Sequence, residues 1–255
     1  MKKMGPDPKL YNLTMTFNKK LLLLPLLAAL LGGSACSSPK AKIALKKAHL
    51  IEHKVYYVPA DMFKTVEFAP APAPDSQQQL ADKAAILDWQ AKRTKADCEK
   101  AKTTAKAEYD FFWAERPLFP EPLPDEVKGF FERLALDLEE AVTNMKGRWQ
   151  RPRPFKAYPG EAEPCIKKSS GYSYPSGHSS FSRVFANVLS DIAPDRKDEF
   201  FAKSDEIAQD RVIGGVHFPS DIAAGKVFGD LYHNELLKSD AYRADIERMK
   251  ALRLK

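Results

Sequence analysis

Hydrophobic residues recur every three or four positions along most of the chain after residue 75, which is the spacing of amphipathic helices. The clearest example begins at Asp125 and is predicted to end near Gly147, which places Lys146 at its C-terminal end. Its apolar face comprises Val127, Phe130, Phe131, Leu134, Leu138, Val142 and Met145.

The same pattern predicts further helices on both sides of this one. Ser76 is a good N-cap for a first helix, and Thr94 with Asp97 predicts a second that runs towards Trp113. Residues 117–124 are rich in proline and residues 150–175 are polar, so both are predicted connectors. The remaining predicted helices run from Pro175 to Pro194, over 196–212, from Pro219 onward and over 240–254.

Glycines punctuate the second half of the chain. Gly214-Gly215 separates two predicted helices, while Gly225 and Gly229 lie four residues apart and predict a closely packed neighbouring helix. No segment shows the alternation typical of a strand. We therefore predict an all-α fold, a single-domain helical bundle.

The N-terminus has the pattern of an export signal. Lys19-Lys20 precede an apolar run and then small residues before Cys36, which predicts a signal peptide over residues 1–35 with Met15 as an alternative start. Cys36 lies where a bacterial lipoprotein would be lipidated, and secretion without a lipid is the alternative. We expect a periplasmic protein, either an outer-membrane-anchored lipoprotein or a secreted one. Residues 36–60 are predicted to form a tether or N-terminal segment, and residues 61–255 the helical domain.

The charge and the cysteine content argue against nucleic-acid binding and against a metal site. The formal net charge is +6, but residues 1–35 hold five lysines and one aspartate, so the remainder carries +2. This is not the basic surface that nucleic-acid binding requires. Cys98 and Cys165 are either a disulfide or two unrelated buried thiols, and neither has a Cys or His neighbour at metal-ligand spacing, so we predict no metal site.

Three short segments carry the candidate chemistry. Their residues are Lys146 with Arg153, then Ser176-Gly177-His178, then Arg211 with His217 and Asp221. The three cations and a helix start at Ser176-Gly177 suit phosphate oxygens. The alternative for each of these three cations is that it is an ordinary surface residue exposed to solvent.

The histidines suit acid–base and nucleophilic roles. Asp221 lies four residues after His217, so its carboxylate can hold one imidazole nitrogen and make the other a nucleophile. His178 follows the Ser-Gly turn and is the candidate general acid. A structural role is the alternative for any histidine, and we assign it to His49, His53 and His233.

These residues resemble a known family. Lys146-x6-Arg153-Pro154, Pro175-Ser-Gly-His178 and Arg211-x5-His217-x3-Asp221 resemble the three-part signature of the type 2 phosphatidic acid phosphatase superfamily. The surrounding sequence, over roughly residues 60–250, is similar to the bacterial class A non-specific acid phosphatases. Asp210 departs from that pattern, because serine often precedes the arginine. That position is not an assigned catalytic group in the family, so the departure puts little of the resemblance in doubt.

The resemblance implies a fold of the acid phosphatase and vanadium haloperoxidase type, and an acid phosphatase acting on small phosphomonoesters. It implies that His217 attacks phosphorus to form a phosphohistidine, that Asp221 orients it and that His178 protonates the leaving oxygen. The residues implied to hold the phosphoryl oxygens are Lys146, Arg153, Ser176, Gly177 and Arg211. No metal cofactor is implied, vanadate or phosphate would bind as inhibitor or product, and phosphotransferase activity and a homodimer would be unsurprising.

Alternative functions remain open within and beyond this superfamily. One is a lipid or polyprenyl-diphosphate phosphatase, another is a vanadate-dependent haloperoxidase, and a third is a phosphate-binding protein without catalysis. We expect membrane contact only through an N-terminal lipid.

Overall fold

The computed structural model describes residues 54–106 and 108–254, and these residues are helical with no strand. They all fall in one compact unit. The α-helices are α1 (Gln77–Lys92), α2 (Lys95–Thr104), α3 (Asp125–Trp149), α4 (Pro154–Ala157), α5 (Gly177–Ile192), α6 (Lys197–Ile213), α7 (Pro219–Leu236) and α8 (Asp240–Leu252). Short 3₁₀ turns occur at Ala60–Lys64, Tyr109–Trp113 and Pro194–Arg196. The predicted all-α bundle is confirmed.

The hydrophobic face predicted for α3 forms a large part of the core. All seven of its predicted apolar residues are buried. Helix α5 packs against both α6 and α7, and its own apolar residues complete the same core. Because α5 is buried on several sides, the position of its first turn is fixed relative to the ends of α6 and α7.

Two glycines allow α7 to approach α5 closely, as the sequence predicted. A Cβ atom on Gly225 would lie 2.7 Å from the carbonyl oxygen of Ser176, and one on Gly229 would lie 2.6 Å from the Cβ of Arg183. Both distances are shorter than real Cβ atoms permit. The close approach brings the N-terminal ends of α5 and α7 together.

Several predicted boundaries were wrong. The helix that starts after Thr94 ends at Thr104 and does not reach Trp113, because residues 109–113 form a separate 3₁₀ turn that buries Phe112 and Trp113. Helix α3 continues past Gly147 to Trp149 and ends where Gln150 adopts a left-handed conformation, with φ of 48°. The predicted connector 150–175 contains the one-turn helix α4.

The last residues of the predicted tether or N-terminal segment, residues 36–60, pack in the core. Tyr57, Val58 and Ala60 are buried in the core, and the backbone N–H groups of Tyr57 and Val58 donate to the carboxylate of Asp137. The predicted signal peptide and Cys36 lie outside the described residues.

Cys98 and Cys165 form a disulfide that joins α2 to the loop before α5, with their Cα atoms 5.8 Å apart. Of the two interpretations left open by the sequence, a disulfide or two unrelated thiols, the structure shows the disulfide. Among the described residues, no helix has the length and apolar character needed to cross a membrane.

Candidate active site

The predicted site residues lie where four helix ends meet. The last turns of α3 and α6 carry Lys146 and Arg211, and the first turns of α5 and α7 carry His178 and Asp221. The structure brings all eight predicted residues to this one place. The following contacts connect them.

His217 is buried, and its two ring nitrogens have different partners. Nε2 lies 2.9 Å from Nη1 of Arg153, and because a guanidinium only donates, Nε2 is the unprotonated acceptor. Nδ1 therefore carries the proton and faces Ser173 Oγ at 3.2 Å and Asp221 Oδ2 at 3.5 Å. Burial lowers the pKa of His217 to about 3, and the positive charges of Arg153 and Lys146 act in the same direction. The ring is therefore neutral, with a lone pair on Nε2.

Asp221 is fully buried and accepts several hydrogen bonds. Its Oδ2 accepts from the Phe218 N–H at 2.8 Å and from Ser173 Oγ at 2.5 Å, and its Oδ1 accepts from Arg151 at 2.6 Å. Burial raises the pKa of Asp221, but contacts with His217, Arg151 and Ser173 outweigh burial, so the pKa lies below its ordinary value. The 3.5 Å separation from His217 is too long for a normal hydrogen bond. Ser173, which the sequence analysis did not identify, therefore connects the aspartate with the histidine.

Arg151 is a second residue that the sequence analysis left without a role. Its guanidinium forms buried ion pairs with Asp82 at 2.7 Å and with Asp221 at 2.6 Å. It also donates to Gln79 at 2.6 Å and lies 4.2 Å from the ring centre of Phe218. Arg151 thus ties α1 to the start of α7 and holds the carboxylate of Asp221. Its position two residues before Arg153 was the signal available in the sequence.

Lys146 and Arg153 contact carbonyl oxygens. Lys146 Nζ donates to the carbonyls of Tyr172 at 2.8 Å and Pro175 at 2.7 Å, and Arg153 Nη1 donates to that of Val216 at 3.0 Å. Burial lowers the pKa of Lys146 to about 7, and the neighbouring charge of Arg153 lowers it further. Burial also lowers the pKa of Arg153.

Ser176 caps the N-terminus of α5. Its N–H donates to the carbonyl of Asp221 at 2.9 Å, and its Oγ accepts from the Ser179 N–H at 3.4 Å. The N–H groups of Gly177 and His178 occupy the first helical turn, where no carbonyl of the helix can accept from them. This helix end presents partial positive charge to the site.

His178 is held by the segment that follows α2. Its Nε2 lies 3.2 Å from the carbonyl oxygen of Ala105. A carbonyl only accepts, so Nε2 carries a proton and Nδ1 is the nitrogen free to exchange one. Burial lowers the pKa of His178 to about 4, and Arg211 contributes next.

The last turn of α2 holds Arg211. Its Nη2 donates to the carbonyl of Ala101 and, at 2.8 Å, to Thr104 Oγ1. Burial lowers the pKa of Arg211 to about 10, and its Nε is buried without a hydrogen-bond partner among the described residues. Thr104 Oγ1 in turn donates to Asp210 at 2.9 Å. Asp210 thus accepts a hydrogen bond from the hydroxyl that holds Arg211, which links the residue that departs from the resembled pattern to one of the candidate cations.

The cluster is suited to an anion. Lys146, Arg153 and Arg211 have carbonyl or hydroxyl oxygens as partners, and burial lowers the pKa of all three. Buried charges that lack an opposite charge are costly. Within the described part of the chain, no group of three or more His, Cys, Asp or Glu residues is placed to hold a metal ion.

The sequence around the candidate site matches a known family model. Residues 134–243 match the model of the PAP2 superfamily. Every candidate residue from Lys146 to Asp221 lies within this match.

Curated relatives include the non-specific acid phosphatase of Salmonella typhi, which is 32% identical over 115 residues, or 43% of this chain and 45% of that protein. The non-specific acid phosphatase of Providencia stuartii is 38% identical over 92 residues, or 34% of this chain and 36% of that protein. The chain thus spans less than half the length of the curated relatives it matches. Among solved structures, a bacterial vanadium-dependent iodoperoxidase is similar with a TM-score of 0.47 and 17% identity, covering 71% of this chain and 53% of that one.

Proposed function

We propose that this protein is an acid phosphatase that hydrolyses phosphomonoesters through a phosphohistidine on His217, without a metal ion. The observation that carries the proposal is the position of His217, which is buried with its Nε2 2.9 Å from Nη1 of Arg153 inside a cluster of cations. A phosphoryl group bound to those cations would lie next to a nucleophile that needs no deprotonation.

In the first step, phosphate oxygens replace carbonyl and imidazole partners of the cations. Arg153 turns from Nε2 of His217 to a phosphoryl oxygen, and Lys146, Arg211 and the N–H groups at the start of α5 bind the others. The Nε2 lone pair then attacks phosphorus while the bond to the ester oxygen breaks. Protonated His178 gives its Nδ1 proton to that oxygen, and an alcohol leaves.

In the second step, water attacks the phosphohistidine. Neutral His178 accepts the proton of the water through Nδ1, the P–N bond breaks, and the electron pair returns to Nε2 of His217. Asp221, through Ser173 Oγ, stabilises the positive charge that His217 carries in the intermediate. Any alcohol that reaches the same position competes with water, so phosphotransfer to alcohols is part of the proposal.

The relatives support the reaction class, because two proteins similar to this one are named non-specific acid phosphatases. The Cys98–Cys165 disulfide supports an oxidising compartment, which agrees with the proposed export.

The test is turnover of p-nitrophenyl phosphate by the full chain and by His217→Ala, with EDTA in a parallel series. We expect His217→Ala to lose turnover and EDTA to change nothing. His233→Gln is the matched control, because His233 lies on α7 about 18 Å from Asp221 along the helix and contacts Asp191.

A second measurement identifies the intermediate. Rapid quenching should trap a phosphoenzyme that is stable in alkali and labile in acid, and His217→Ala should not form it. Retained turnover in His217→Ala would overturn the mechanism. Bromide oxidation with vanadate and peroxide, without phosphatase activity, would replace the function with a haloperoxidase.

A further inference from the structure

A cavity of about 570 Å³ lies beside the first turn of α5. Gly177 and His178 line one end of it, and Phe181 and Phe185 follow along the same helix. Residues at these spacings share one face of a helix, and His178 is about 10 Å from Phe185 along the axis. The cavity therefore extends away from the candidate acid along α5.

Aromatic rings line much of the cavity. Tyr109 stacks on Phe131 with ring centres 4.5 Å apart, and Phe112 and Phe131 each meet Phe185 edge to face. These contacts hold the rings in fixed positions around the space. A rigid apolar wall of this kind binds apolar groups and offers few hydrogen bonds to a sugar or a nucleoside.

Acidic residues also reach the wall. Glu108, Glu132 and Glu139 line the cavity, and Glu132 and Glu139 already interact with other groups of the protein. These carboxylates disfavour a ligand that places a negative charge in the cavity in addition to its phosphate.

We propose that this cavity binds the organic part of the substrate, and that the preferred substrates are monophosphates of a single apolar alkyl or aryl group. The inference rests on the proposed function, because it requires His178 to protonate the leaving oxygen. A general acid must touch that oxygen, and the group attached to it then extends into the space that His178 lines. The cations bind the phosphoryl group, and the aromatic rings of the cavity select the organic group that is esterified to it.

The test uses ethyl, butyl, hexyl and octyl phosphate, whose leaving groups differ little in intrinsic reactivity. We expect kcat/KM to rise by up to about fourfold per added methylene until the cavity is filled. A 6-carboxyhexyl phosphate should show no such gain, because its terminal charge would enter the aromatic wall.

Ala135→Leu provides the matched variant. Ala135 lines the cavity from α3 and is partly exposed, so a larger side chain there narrows the cavity without disturbing the core. The ratio of kcat/KM for octyl over ethyl phosphate should fall below the wild-type ratio. Ala244→Leu, an exposed position on α8, should keep the wild-type ratio.

The outcomes separate this inference from the function it rests on. Turnover of all four alkyl phosphates at similar kcat/KM would overturn the cavity assignment and leave the phosphatase intact, as would an unchanged ratio in Ala135→Leu. No turnover of any phosphomonoester would overturn the proposed function. In that case, competition binding to His217→Ala still decides the cavity, since octyl phosphate must displace inorganic phosphate at lower concentration than ethyl phosphate does.

Discussion

The disulfide links the stability of α2 to the placement of Arg211. Cys98 lies on α2, whose last turn supplies the carbonyl of Ala101 and the hydroxyl of Thr104 to that arginine. These are the two buried residues of an otherwise polar helix. Little apolar burial holds α2 in place, so removing the disulfide through Cys98→Ala with Cys165→Ala should loosen it.

The loss of stability can be worked out from the loop that the disulfide closes. The two cysteines are 67 residues apart, and cross-linking a loop of that size restricts the unfolded chain by about 4 kcal/mol. For a domain of this size that corresponds to a fall in Tm of roughly 8–16 °C. Thermal unfolding followed by circular dichroism measures it, with and without a reductant.

The same variant should weaken phosphate binding. A hydrogen bond to a charged group contributes roughly 1.5–3 kcal/mol, so partial loss of the two that position Arg211 should raise the inhibition constant of inorganic phosphate by about tenfold. A reductant should reproduce both effects on the wild type and change nothing in the double variant. A double variant with wild-type Tm and wild-type phosphate inhibition would refute the argument, because α2 would then be held by its other contacts.

Three further changes test the site. Ser173→Ala removes the hydroxyl between Asp221 and His217, so kcat should fall by about 10–100-fold with a smaller change in KM. Ser173→Thr should recover part of the lost kcat. An unchanged kcat in Ser173→Ala would contradict the proposed role of this contact. Burial lowers the pKa of His178 to about 4, so kcat/KM should fall as the pH rises above that value and the acid loses its proton. With p-nitrophenyl phosphate as substrate, His178→Ala should lose this decrease in kcat/KM with rising pH. A decrease that persists in His178→Ala would belong to another group. Asp210→Ala removes the nearest acceptor of the Thr104 hydroxyl and leaves it the carbonyls of Lys100 and Ala101 at 3.3 Å, so KM should rise severalfold. Asp210→Asn keeps an acceptor oxygen and should have a smaller effect. Equal KM values for the wild type and both variants would count against this role of Asp210.

The helices of the core were predictable because their apolar residues follow one periodicity. Helix α3 shows this most clearly, since each residue of its predicted face is buried. The segment after Thr104 was not predictable in the same way. It contains neither proline nor glycine to end a helix, and the 3₁₀ turn at Tyr109–Trp113 forms because its rings pack in the core. Tertiary packing there overrides the local preference.

The candidate site also has one part that the sequence predicts and another that depends on the packing of the helices. The residues within each short segment could be identified from their spacing, because the family signature places them within a few positions of each other. Asp82 and Arg151 are 69 residues apart, so their ion pair depends on how α1 packs against the loop after α3. Ser173 lies close to His178 in sequence, but its role depends on the approach of α7, which the spacing does not encode.

The contacts distinguish two arginines that the sequence presents almost side by side. Arg151 has two carboxylate partners, Asp82 and Asp221, so its charge is compensated within the protein. Arg153 has a carbonyl and an imidazole nitrogen as partners, and in the described residues no carboxylate contacts it directly. Burial lowers the pKa of Arg153, and the charge of Asp221 offsets this only in part, so the Arg153 charge is less well compensated within the protein than that of Arg151. Arg151 is therefore the structural arginine of the pair, and Arg153 is the one that the proposed mechanism assigns to the phosphoryl group.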